Sequence, residues 1–130
     1  MSVLGLGILG KSIALRLHSQ GFAVQVWTRS QERQQEAALA GLRVAPSAAA
    51  AVGDSTVVLL LLSDHPAIVS VLFPPQATLR LEGKTVVQMG TISANQSRNL
   101  SAMCAEEGAV YIESPVRAPR MIHLLSHILA

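Results

Sequence analysis

The sequence predicts an α/β fold, a doubly wound parallel sheet in a single domain. Three observations carry this expectation. Short apolar segments alternate with helix-period segments through most of the chain, the pattern of a parallel sheet with right-handed crossovers. The longest unbroken apolar run, Val57 to Leu62, reads as a strand buried on both faces. The chain also opens as strand, glycine turn and helix, the arrangement that starts such sheets. With 130 residues, 50% hydrophobic and 14% charged, it has the length and composition for one packed core, and disorder is excluded.

Met1 to Leu4 forms the first expected strand and runs into Gly5-Leu6-Gly7-Ile8-Leu9-Gly10. Lys11 to Gln20 then takes helical spacing, with Ile13, Ala14 and Leu17 inward, and Gly21 stops it. A G-x-G-x-x-G placed between a strand and a helix is the dinucleotide fingerprint of a Rossmann-type sheet. Gly5 permits the tight turn, Gly7 lets a pyrophosphate approach bare backbone, and Gly10 lets the helix pack close to the sheet. Free N–H groups and the positive helix end meet the phosphates. Gly5, Leu6, Gly7, Ile8, Leu9 and Gly10 are therefore expected cofactor contacts.

Phe22 to Trp27 is the second expected strand, and it ends at Thr28-Arg29-Ser30. A site for NAD places an acid about 20 residues beyond the glycines to accept the ribose hydroxyls. Here Arg29 stands between two hydroxyl side chains, which suits an added 2′-phosphate. Thr28, Arg29 and Ser30 thus point to NADP over NAD, and away from FAD and S-adenosylmethionine, whose sites of similar shape also want an acid. Gln31 to Leu39 is a helix closed by Gly41, Leu42 to Ala45 a short strand, and Ala48 to Val52 a brief helix capped by Ser47.

Thr56 to Leu62 is the fourth expected strand, and Ser63-Asp64-His65-Pro66 caps the helix that follows. Ligands of open α/β sheets bind at the carboxyl ends of strands. Leu62 and Ser63 are accordingly expected to touch the cofactor, and His65 either lines the same crevice or merely starts a helix. Phe73-Pro74-Pro75 breaks that helix. Thr85 to Gln88 is a fifth strand leaving through Met89-Gly90-Thr91-Ile92-Ser93, with Ser93 and Gln96 a capping box for a helix to Glu107. Thr91, at the strand exit, is a cofactor candidate. Val110 to Ile112 is the sixth strand.

Composition narrows the partners. A net charge of +2 with scattered Lys and Arg leaves no nucleic-acid footprint, and no run reaches the roughly 18 apolar residues of a membrane span. Cys104 is the single cysteine, expected as a buried core thiol. His123 and His127 form an i, i+4 pair without a third ligand, so no metal site is expected. No signal segment opens the chain, and a cytoplasmic setting is expected.

Four motifs in one order make the chain resemble the N-terminal domain of the β-hydroxyacid dehydrogenase family, with imine reductases as close relatives. Gly5 to Gly10 is similar to its G-L-G-x-M-G, Trp27-Thr28-Arg29-Ser30 to its N-R-T segment, Met89 to Ser93 to its M-S-T segment, and Glu113-Ser114-Pro115-Val116 to its D-A-P-V. The resemblance implies that Thr91 lies beside the nicotinamide ribose and that Val116 and Arg117 meet the substrate. It also implies hydride transfer to or from a small 3-hydroxy acid, and a homodimer made by a helical domain. The resemblance covers residues 1–119, expected as the dinucleotide-binding domain, and residues 120–130 are unlike the family.

The family's S-G-G clamp is replaced by Arg117-Ala118-Pro119, and Pro119 has no backbone donor. The only lysines, Lys11 and Lys84, do not match the catalytic position, so no catalytic residue is assigned. The tail is expected as foreign sequence after a truncation or frameshift. A non-catalytic dinucleotide-binding fragment or sensor, or an imine reductase relative, are the alternatives to a dehydrogenase half.

Overall fold

The computed structural model describes residues 1–77 and 79–114. Six strands, β1 (Ser2–Leu4), β2 (Gln25–Trp27), β3 (Arg43–Val44), β4 (Val57–Leu60), β5 (Thr85–Gln88) and β6 (Val110–Glu113), form one sheet. Five helices lie between them: α1 (Ile8–Ser19), α2 (Gln31–Leu39), α3 (Ala48–Gly53), α4 (His65–Leu72) and α5 (Ala94–Glu106). All pairings are parallel, in the order β3-β2-β1-β4-β5-β6. The chain builds outward from β1 to β3, then returns to the centre to lay β4 against the other side of β1.

The sheet is apolar on both faces because alternate residues of each strand feed different cores. Val3, Val26, Leu59 and Val87 pack with Ile13, Ala14 and Leu17 of α1 and Ala37 of α2. Leu4, Val58, Leu60 and Val86 pack on the other face with α3, α4 and α5, through Val52, Ile68, Leu72 and Leu100. Cys104 belongs to that second core, where burial pushes its thiol up to about 11. It stays protonated and inert.

Several element bounds differ from the sequence expectation for identifiable reasons. α1 starts at Ile8 rather than Lys11, because Gly7 is extended and serves as its N-cap, leaving Gly10 inside the first turn. β2 starts at Gln25 rather than Phe22. Its ladder with β1 runs in register only from Gln25, which lies opposite Ser2 and whose N–H reaches the Met1 carbonyl at 3.0 Å. β4 ends at Leu60, so Leu62 lies in the loop beyond it. Lys84 is structural: its Nζ donates to the Gly53 carbonyl at 3.3 Å and also to the Ser55 carbonyl, holding the end of α3.

Gln88 is completely buried at the end of β5, and neither its Oε1 nor its Nε2 has a partner among the described residues. A buried amide without hydrogen bonds forfeits its hydration for nothing. Gln88→Met keeps the shape and removes both orphan atoms, and is expected to stabilise the domain by about 1 kcal/mol. Urea unfolding checks it, and a lower midpoint for the variant would show that the amide is satisfied after all.

Candidate functional site

The loop between β1 and α1 is shaped by its glycines. Gly5 adopts φ +102°, and a Cβ there would come within 3.0 Å of the Leu61 carbonyl. A Cβ on Gly10 would overlap the carbonyl oxygen of Gly5, so the helix lies directly on the loop. Around Gly7, by contrast, a Cβ would meet nothing within 4 Å. Two glycines are therefore demanded by packing, and the middle one borders open space.

That open space belongs to a cleft of about 370 Å³ at the carboxyl ends of β1, β2 and β4. Gly5, Leu6 and Gly7 form one side, and Leu61, Leu62 and Ser63 the other. The cleft sits at the point where strand order reverses between β1 and β4, the place where such sheets take ligands. Trp27, Thr28, Arg29 and Arg33 close one end, facing Ala67 and Val71 of α4. A larger cleft, about 570 Å³, opens at the opposite, amino ends of the strands around Met1, His18 and Phe22. It lies away from the glycine loop, so size does not identify the site here.

Electrostatics favour an anion in the smaller cleft. The charged residues lining it are Arg29 and Arg33, with no acid among them. α2, α3, α4 and α5 each begin with a side-chain cap, from Ser30, Ser47, Asp64 and Ser93. α1 has none: its N-cap is Gly7, and no side chain among the described residues caps it. Those donors and the positive end of the helix face the cleft through Gly7.

The expected site residues divide between the cleft and its surroundings. Gly5, Leu6, Gly7, Thr28, Arg29, Leu62 and Ser63 line it. Thr28 is buried, its carbonyl accepting from Gln34 Nε2 at 2.6 Å, and Ser30 uses its hydroxyl to cap α2 through the Arg33 N–H at 3.3 Å. Ile8 and Leu9 are exposed on the first turn of α1, with Gly10 buried behind them, and Thr91 is exposed beyond β5. His65 begins α4 and bridges to α5, its Nε2 lying 3.0 Å from Asn99 Oδ1. Val116, Arg117, His123 and His127 lie outside the described residues.

Sequence reading missed Arg33. It lies in the first turn of α2, four residues after Arg29 in the loop before that helix, and both line the same cleft. Its place in the first turn of α2 was the available signal, because a cation there opposes the helix dipole and needs another reason to be present. Near the other end of the sheet, Ser97 Oγ donates to Glu113 Oε2 at 2.8 Å and lies 2.9 Å from the Tyr111 hydroxyl, which must then donate to it. Burial pushes the Tyr111 phenol up, which keeps that donor protonated. This relay ties the exit of β6 to α5. Among the described residues, no helix is long and apolar enough to cross a membrane.

Comparison with known proteins agrees with this geometry. Residues 1–118 match the model of the NAD binding domain of 6-phosphogluconate dehydrogenase. Glyoxylate/succinic semialdehyde reductase 1 of Arabidopsis thaliana is 33% identical over 115 residues, covering 87% of this chain and 40% of that protein. The 2-hydroxy-3-oxopropionate reductase of Escherichia coli K12 is 27% identical over 118 residues, 89% of this chain and 40% of that protein. An imine reductase from Aspergillus terreus, solved in complex with NADPH4, superposes with a TM-score of 0.81 at 26% identity, covering 90% of this chain and 40% of that one. The chain thus spans about 40% of the length of these relatives, as their N-terminal part. With a six-stranded parallel sheet, a glycine loop at its switch point and a family match over residues 1–118, the chain belongs to the family of the NAD binding domain of 6-phosphogluconate dehydrogenase, as a nicotinamide-dinucleotide-binding domain.

Proposed function

We propose that the cleft takes NADP, and that the longer protein to which this domain corresponds moves a hydride between nicotinamide and a small 3-hydroxy acid. The carrying observation is the pair Arg29 and Arg33 in an acid-free cleft beside an uncapped helix. In this reading Gly5 to Gly10 hold the pyrophosphate through backbone N–H groups, and Thr28, Arg29, Ser30 and Arg33 hold the 2′-phosphate. Leu62, Ser63 and Thr91 border the nicotinamide ribose at the ends of β4 and β5. Nicotinamide supplies the hydride, while the chain contributes positioning and electrostatics.

In this reading the dinucleotide-binding domain comprises residues 1–119, and residues 120–130 are a tail unlike the family. Val116 and Arg117 are assigned to the substrate side, with Arg117 pairing a carboxylate. A homodimer and a cytoplasmic setting complete the reading. An imine reductase origin is the second reading, favoured by the superposition with that class and by the departure at Arg117-Ala118-Pro119.

Trp27 lines the cleft and is the only tryptophan, so it reports directly on binding. Titration with NADPH is expected to quench it to saturation, with NADH weaker by about tenfold, or 1.4 kcal/mol. Equal affinity for both would remove the 2′-phosphate assignment. Silence toward both would mean that this chain does not hold the cofactor. Turnover of a 3-hydroxy acid by this chain alone would overturn the assignment of chemistry to the longer protein.

A further inference from the structure

Arg29 does not extend freely into solvent. Its Nη2 reaches across the mouth of the cleft and donates to Ser70 Oγ, on α4, at 3.4 Å. The Ser70 hydroxyl spends its own proton on the Ala67 carbonyl at 2.9 Å, so it meets Arg29 as an acceptor. Ala67 and Val71, on either side of Ser70 in α4, line the cleft opposite Arg29 and Arg33. A side chain as long as Arg otherwise samples many rotamers, and fixing it before binding lowers the entropy that the ligand must overcome.

We infer that Ser70 is a positioning residue for cofactor discrimination: it holds the Arg29 guanidinium over the 2′ position of the bound adenosine. This rests on the NADP reading of the cleft. Ser70 itself meets no substrate or reacting atom and acts only through Arg29. A neutral acceptor is the suitable type at this position. A hydroxyl orients the guanidinium while leaving its charge and its other N–H groups for a phosphate. A carboxylate at the same place would form an ion pair with Arg29 and compete with the incoming anion.

The test uses the 130-residue chain and two probes, 2′,5′-ADP and 5′-ADP, titrated by calorimetry. They share the adenosine and the 5′ side and differ by the 2′-phosphate. Ser70→Ala is expected to weaken 2′,5′-ADP about threefold, the scale of one long, exposed hydrogen bond, and to leave 5′-ADP unchanged. Ser70→Thr keeps the acceptor and is expected to restore the wild-type ratio. Ser70→Asp is expected to lower the ratio by about tenfold or more, as a charged competitor.

An unchanged ratio in both Ser70→Ala and Ser70→Asp would overturn the inference, as would equal loss of both probes, which marks a merely structural residue. Failure of the wild-type chain to prefer 2′,5′-ADP over 5′-ADP would instead bring down the NADP reading, and the inference with it. Should Ser70→Asp not fold, the Ala and Thr pair still decides.

Discussion

Gly10→Ala is expected to destabilise the domain by about 3 kcal/mol or more, a large share of the 5–15 kcal/mol that holds a typical domain together. The added methyl has no flexible neighbour to push aside. It would overlap the backbone carbonyl of Gly5, which is fixed in turn by the Gly5 N–H to Trp27 carbonyl hydrogen bond at 2.9 Å. Either α1 lifts from the sheet, opening the core around Ile13, Ala14 and Leu17, or the loop distorts. Gly7→Ala, three residues away, is expected to do the reverse. Its φ is −63° and its surroundings are open, so stability holds or rises by a few tenths of a kcal/mol, roughly the entropic gain of Ala over Gly. Dinucleotide affinity is nevertheless expected to fall about tenfold, because the methyl stands where the backbone N–H groups meet the phosphates. Urea unfolding and Trp27 quenching on the two variants measure both quantities. A Gly10→Ala protein with the wild-type midpoint would contradict the close packing of α1 on its loop.

Replacing Arg29 and Arg33 together by Ala is expected to weaken NADPH about 100-fold and NADH about twofold, since hydrogen bonds to charged groups contribute about 1.5–3 kcal/mol each. Each single variant should lose part of this, and their effects should not simply add, because both cations face one anion. The loss should shrink as salt rises, because both guanidiniums are exposed. Arg33→Ala carries a second expected sign. Removing a cation from the first turn of α2 relieves its opposition to the helix dipole, so folding stability should rise slightly as NADPH affinity falls. Equal losses for NADPH and NADH in the double variant would move the two arginines from the 2′-phosphate to the shared part of the cofactor.

Much of this architecture was legible from period and punctuation. α2 and β5 fall on the residues expected, because their limits are written locally, in Ser30 and Gly41 for the helix and in the turn at Gly83 and the exit at Met89 for the strand. The capping box of Ser93 and Gln96 is present with both of its hydrogen bonds. The misplaced limits have non-local causes. Where β2 begins depends on how far β1 reaches beside it, and where β4 ends depends on its ladder, although Leu61 and Leu62 are as apolar as the residues before them. The cleft was legible in its loop and its strand exits, but not in Arg33 or Ser70. Arg33 carries in sequence only the indirect signal of a cation in the first turn of α2, and Ser70 enters only once α4 is known to face the end of β2 across the cleft.

The central place of β1 also has a consequence in time. β1, made before both of its neighbours, ends between β2 and β4, with Ser2 against Gln25 on one side and Val58 on the other. As the chain leaves the ribosome, β1 can zip with β2 early, but its second edge stays bare until α3 and β4 have followed. Parallel pairing over such separations must overcome the entropy of closing a long loop before any contact rewards it, which makes it a slow step. The β1–β4 seam is thus both the floor of the cleft and the joint at which two half-sheets become one. A nascent domain gains its ligand site only when this joint closes, so dinucleotide present during synthesis would trap the completed sheet rather than guide its early halves.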